Sequence, residues 1–187
     1  MIVEENFAGT AGATFSDDRR HRLVLWRRWS DSRPIGFLML NPSRAGLEDD
    51  PTVRRCVGFA RREGAGGIVV GNLSPLIATD PRDLYTAILE RSDFAFPREH
   101  AELRSGAFAP CSVVIAAWGT FGGASAVAVE ALTATAIEAA LDSYRTRRQA
   151  LRCLGVTEKG WPRHPLYLAA DTPILPWEPV RAGGDRG

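Results

Sequence analysis

Lysine is nearly missing from this 187-residue chain, since Lys159 stands alone and every other member of its 23 basic residues is arginine. Arginine binds phosphate and carboxylate bidentately and stacks on flat rings, so the bias suits nucleotides or nucleic acid; a GC-rich coding sequence would produce it with no partner at all. Cysteine is scarce too. Cys56, Cys111 and Cys153 are odd in number and widely spaced, which indicates neither a disulfide framework nor a zinc knuckle and fits a reducing cytoplasm. No apolar run approaches the roughly 20 residues of a membrane span, and the first residues are too acidic and polar for a secretory signal. A net charge of +1 leaves no basic tail and no acidic solvating segment. A cytoplasmic protein is expected, with no metal, no cofactor and no membrane partner.

What the chain does have is an ordinary globular balance, 45% hydrophobic and 24% charged, at a length that suits one substantial core. Residues 1–18, rich in Gly, Ala, Thr and Asp, lack periodicity and read as a flexible arm; 19–178 read as one domain and 179–187 as a disordered tail. His21 to Trp29 alternates, with Leu23 and Leu25 opposed to Val24 and Trp26, which predicts an antiparallel strand. A turn at Ser30 to Pro34 leads into Ile35 to Leu40, a continuous apolar run typical of a strand buried on both faces. Further apolar runs fall at Gly67 to Gly71, Ser112 to Trp118 and Leu151 to Gly155.

Helical patterns fill the intervals. Asp50-Pro51 is an N-cap followed by proline at the first helical position, and Val53, Cys56, Val57 and Ala60 form the apolar stripe of a helix that stops at Gly64. Asp80-Pro81 repeats the signal ahead of Leu84 and Ile88, with a second helical piece at Glu99 to Phe108. A third helix is expected over Ala124 to Arg148. Strands alternating with helices predict a three-layer α/β/α domain, with a central four-stranded parallel sheet and an N-terminal antiparallel edge strand.

In such a sheet, ligands bind beyond the carboxyl ends of the strands. The residues there are Asn41-Pro42-Ser43, Asn72-Leu73-Ser74-Pro75, Trp118-Gly119-Thr120 and Arg163-His164-Pro165. Asn41, Asn72 and His164 should therefore converge on one edge. Each has a plainer reading: Asn before Pro starts ordinary turns, Asn72 could cap a loop, His164 could be a loop residue and Trp118 could be core. Asp49 and Asp50 read as helix caps. Arg54, Arg55, Arg61 and Arg62 read as a solvated helix face, and Cys56 as core before nucleophile.

The stretches Met39-Leu40-Asn41-Pro42-Ser43, Asp50-Pro51-Thr52-Val53-Arg54-Arg55-Cys56, Asn72, Asp80 to Leu84, Ala117-Trp118-Gly119 and Arg163 to Tyr167 resemble the domain-of-unknown-function 1643 family, over about Arg20 to Trp177. That family implies no established activity. More remotely, the strand-end motifs resemble the uracil-DNA glycosylase superfamily. This likeness implies that Asn41 positions water, that Asn72 reads a base edge, and that His164 stabilises charge on the departing base. Pro42, Ser43, Trp118, Gly119 and Arg163 would complete the substrate site, and Arg54 and Arg55 would contact phosphate. The implied activity is hydrolysis of an N-glycosidic bond to a nucleobase in nucleic acid or a nucleotide; the alternative is a non-catalytic module that binds a nucleotide or modified base. His164-Pro165 is followed here by Leu166-Tyr167 rather than Ser-Pro, a departure that removes a backbone-clamping serine.

Overall fold

The computed structural model describes residues 1–42, 48–120, 134, 137–138 and 151–178. Its strands are β1 (Ile2–Glu5), β2 (Ala11–Phe15), β3 (Arg22–Arg28), β4 (Ile35–Met39), β5 (Gly67–Asn72), β6 (Val113–Ala116), β7 (Leu151–Cys153) and β8 (Leu175–Pro176). The helices are α1 (Pro51–Arg62), α2 (Pro81–Glu90), α3 (Ser92–Ala95) and α4 (Arg98–Phe108), with a 3-10 turn at Pro165–Tyr167. The strands form one mixed sheet in the order β1-β2-β3-β5-β4-β6-β7-β8. The neighbours β5, β4, β6 and β7 pair in parallel, and every other pair is antiparallel.

Two expectations are corrected. Residues 1–18 do not form a loose arm, because β1 and β2 make a hairpin that continues the sheet. Its irregular composition has a packing cause: Gly12 lies opposite Trp26, and a Cβ on Gly12 would sit 2.1 Å from the Trp26 ring. The glycine makes room for the indole, which covers the bare backbone and supplies the apolar surface that β2 lacks. Consequently β3 is not an edge strand, having β2 on one side and β5 on the other. At the far side β8, containing Pro176, seals β7, a pairing that its proline obscures in the sequence. The third expected helix is described only at Ala134, Ile137 and Glu138, which are helical; the rest of it, Ser43 and the expected tail lie outside the described residues.

Alternation along β4 divides the core. Ile35, Phe37 and Met39 join Val53, Cys56 and Phe59 of α1 in one cluster. Leu38 joins Leu84 and Ile88 of α2 and Phe108 of α4 in the other. The chain steps to one side of β4 through α1 and to the other side through α2 to α4, and α1 packs with one of these clusters while α2 and α4 pack with the other. Val57, expected in the core, is only half-buried, and Phe59 takes the fully buried place beside Cys56. Both caps form as read: Asp50 accepts from the Val53 N–H at 2.7 Å and Asp80 from the Arg82 N–H at 2.9 Å.

Phe108 fits over two glycines. A Cβ on Gly36 would meet its ring at 2.8 Å, and one on Gly71 would meet it at 2.9 Å, with the Arg104 Cγ equally close. Gly71→Ala is expected to cost about 1–3 kcal/mol through overpacking, read as a lower urea midpoint, and a second change, Phe108→Leu, is expected to restore part of the loss. A single variant as stable as the parent would disprove this packing account.

Candidate functional site

The chain leaves β4 toward β5 on one side, whereas β6, paired with the other side of β4, leads outward to β7. The loops following β4 and β6 therefore diverge and open a crevice over their carboxyl ends. A cleft of ≈ 600 Å³ occupies this place, within the range of small-molecule sites. Asn41, Pro42, Asn72, Trp118, Gly119, Arg163 and His164 all line it. Arg54 and Arg55 do not, and line a separate groove along α1.

Backbone bonds assemble the rim. The loop after β5 is pinned to the one after β4 by Leu73 N–H donating to the Met39 carbonyl (2.8 Å) and Ala78 N–H to the Pro42 carbonyl (3.0 Å). Asn41 tightens the same junction, with Nδ2 donating to the Ala78 carbonyl at 2.9 Å and the Pro42 carbonyl at 3.1 Å. Two carbonyls around the nitrogen fix the amide's orientation and leave Oδ1 to accept from a ligand or water. Gly119 adopts φ 79°, and its N–H donates to the Pro162 carbonyl at 2.9 Å, tying the end of β6 to the histidine loop. A Cβ there would lie 3.3 Å from that of His164, so Trp118-Gly119 serves the site both through backbone conformation and through close approach.

Asn72 ends β5 and is only 1% exposed, yet neither Nδ2 nor Oδ1 has a hydrogen-bond partner among the described residues. Its backbone is held firmly, because the buried Arg104 of α4 donates to the Asn72 carbonyl at 2.7 Å and the Leu73 carbonyl at 3.2 Å. Trp118, 3% exposed, also has an unpaired indole Nε1 and meets Trp177 edge to face at 5.2 Å. Buried amide atoms left unpaired each cost about 1–3 kcal/mol, so this end of β5 carries polar capacity that folding does not use.

His164 caps the 3-10 turn, its Nδ1 accepting from the Leu166 N–H at 3.3 Å. That bond places the ring proton on Nε2. Burial lowers the His164 pKa, opposed by the charge of Asp50, so the imidazole is neutral near pH 7 and Nε2–H is a neutral donor.

The cleft's lining also includes Arg22, Asp50 and Tyr167, which the strand-end motifs do not single out. Arg22 is 5% exposed and opens β3; burial lowers its guanidinium to about 10, with Asp50 opposing the shift, so it stays cationic. A charged residue at the start of an apolar strand was its only sequence signal. Asp50 is the helix cap expected, and its carboxylate borders the cleft as well. Tyr167, part of the family-like stretch and of the departure from Ser-Pro, lines the mouth while remaining 80% exposed. Cys56 lies in the core with no exposure, and burial raises its thiol pKa well above the usual range, so it supplies no thiolate. No group of three or more His, Cys, Asp or Glu among the described residues could hold a metal ion, and no described helix is long and apolar enough to cross a membrane.

The fold and cleft define a mixed α/β protein with a ligand-sized crevice at the carboxyl edge of its parallel strands. The chain belongs to the family described as "Protein of unknown function (DUF1643)", which matches residues 22–166. No curated protein and no solved structure matches it.

Proposed function

We propose that the cleft binds the edge of a nucleobase and that Asn41 and His164 use it to hydrolyse an N-glycosidic bond. The unpaired amide of Asn72 carries this reading. One donor and one acceptor side by side complement the imide edge of a pyrimidine such as uracil, and an apolar surround makes those bonds strong and selective. Breaking the bond leaves positive charge on the sugar and negative charge on the base. The Nε2–H of His164 would donate to the base oxygen, and Oδ1 of Asn41 would hold the attacking water. The occurrence of the four strand-end motifs in one cleft supports the likeness to uracil-DNA glycosylases, as do the four parallel strands with helices on both faces.

The second reading is a module that binds a nucleotide or modified base without cleaving it. It is favoured by the amide of Asn41, which orients water but takes no proton from it. Incubation with oligonucleotides and free nucleotides bearing normal, deaminated and modified bases, followed by mass spectrometry, separates the two. Released base supports hydrolysis, whereas saturable binding with no release selects the module. For hydrolysis, Asn41→Ala and His164→Ala are each expected to lower turnover by about 10²–10⁴-fold with unchanged circular dichroism. Retained turnover in both variants would remove the mechanism.

A further inference from the structure

Beside the cleft lies a groove of ≈ 550 Å³ along α1, whose lining includes Arg54, Arg55, Arg62, Phe59 and Leu166. Leu166 lines cleft and groove alike, so the two are neighbours. No acidic residue lines the groove among the described residues. Arg62 is partly committed, to the Ala170 carbonyl and to Glu63. Arg54 donates to the backbone carbonyl of Asp49, a neutral partner, and neither Arg54 nor Arg55 forms an ion pair among the described residues.

Next to the shared Leu166 stands Tyr167, whose ring lies 5.8 Å from that of His164, tilted by 48°. An aromatic ring 80% exposed at the mouth of a cleft forgoes its own burial. A basic groove beside an exposed aromatic is the combination that holds a single nucleic-acid strand, since arginines follow the phosphates and the ring stacks a base.

We propose that the ligand is a single strand of nucleic acid several nucleotides long, rather than a mononucleotide. It would lie with one base in the cleft, the adjoining base on Tyr167, and the next phosphates on Arg54, Arg55 and Arg62. This rests on the base-binding reading of the cleft and adds the path of the chain. A single strand suits the site better than a duplex, because a base in an unpaired strand enters the cleft without first being flipped from a stack.

Binding of uridine 5′-monophosphate is compared with that of five-nucleotide oligouridylate and oligodeoxyuridylate, the same deoxy strand in a duplex, and heparin, a polyanion without bases. The single strands are expected to bind at least about tenfold more tightly than the monophosphate at low salt, with affinity falling as salt rises by about 0.7 in log–log slope per phosphate contacted. Arg54→Ala with Arg55→Ala should reduce the gain from length and lower the slope by about 1.4, leaving monophosphate affinity unchanged. Tyr167→Ala should weaken oligomer binding about tenfold, with Tyr167→Phe retaining it. The two single-strand arms distinguish RNA from DNA, and preference for either satisfies the proposal. Monophosphate binding that length does not improve, or a duplex held as tightly as its free strand, would overturn the groove and leave the base-binding reading standing. Heparin binding without monophosphate binding, or no binding by any probe, would overturn both.

Discussion

Replacing Asn72 with leucine is expected to make the protein more stable and to abolish ligand binding. Leucine has the same branching and number of side-chain heavy atoms as asparagine, and its neighbours Val70, Leu73 and Met39 are buried apolar residues. The parent bears two buried amide atoms without partners, a burden of about 1–3 kcal/mol for each group left unsatisfied. Removing it should raise the melting temperature by about 2–4 °C for each kcal/mol regained in a chain of this size. A residue kept only for packing would not show this opposition between stability and binding. Calorimetry of the variant, with titration of any ligand bound by the parent, decides the matter; a lower melting temperature with binding intact would place Asn72 outside the site. Asn72→Ala serves as a control, since it should lose binding while the cavity it leaves removes much of the stability gain.

Acid is expected to weaken the fold through His100. Its ring is 2% exposed, Nε2 donates to the Leu23 carbonyl at 3.3 Å, and burial with the charge of Arg104 lowers its pKa from 6.5 to about 3, His21 adding to the shift. The unfolded chain takes up this proton near pH 6.5 and the folded chain only near pH 3. The stabilising contribution is thus complete above pH 6.5 and is lost as the pH falls toward 3, by at most about 1.4 kcal/mol per pH unit. His164, also lowered by burial, acts in the same direction. His100→Gln keeps a donor for Leu23 and removes the titration, so urea unfolding between pH 4 and 8 should show a flatter profile. An unchanged profile would assign the acid sensitivity to other groups. Because Arg104 lies one turn along α4 and holds the carbonyl of Asn72, acid loosening of this helix should release the cleft's base-reading edge as well.

Much of the frame was legible because its residues obey single rules. The apolar runs of β4, β5 and β6 are buried on both faces, and Asp-Pro marks the starts of α1 and α2 without help from tertiary context. Asn41 and Asn72 lie at the ends of β4 and β5, whereas His164 stands well beyond Cys153 and reaches the cleft through the loop tied to Gly119. What was illegible depends on partners distant in sequence. The strand character of β2 relies on Trp26 lying across Gly12, and β8 is defined by its pairing with β7. Arg22 looks like a flanking charge until β3 is placed inside the sheet. The position of Tyr167 likewise depends on a short turn whose buried Pro165 anchors it and whose aromatic ring projects outward. Solvent exposure of that kind leaves no periodic trace.

The hairpin at the beginning of the sheet and β8 at its other side bear on how much chain this fold requires. The family match runs from 22 to 166, whereas the strands that close the sheet's flanks are Ile2–Glu5, Ala11–Phe15 and Leu175–Pro176. A polypeptide trimmed to the matched region would present the unpaired backbones of β3 and β7 to other molecules, and open strand edges invite intermolecular sheet growth. In the 187-residue chain the outermost strand alternates outward-facing Val3 and Glu5 with half-buried Ile2 and Glu4; Glu4 pairs with Arg19, and the exposed carboxylate of Glu5 discourages edge pairing. The segment that defines the family is thus shorter than the segment that covers both flanks of the parallel strands.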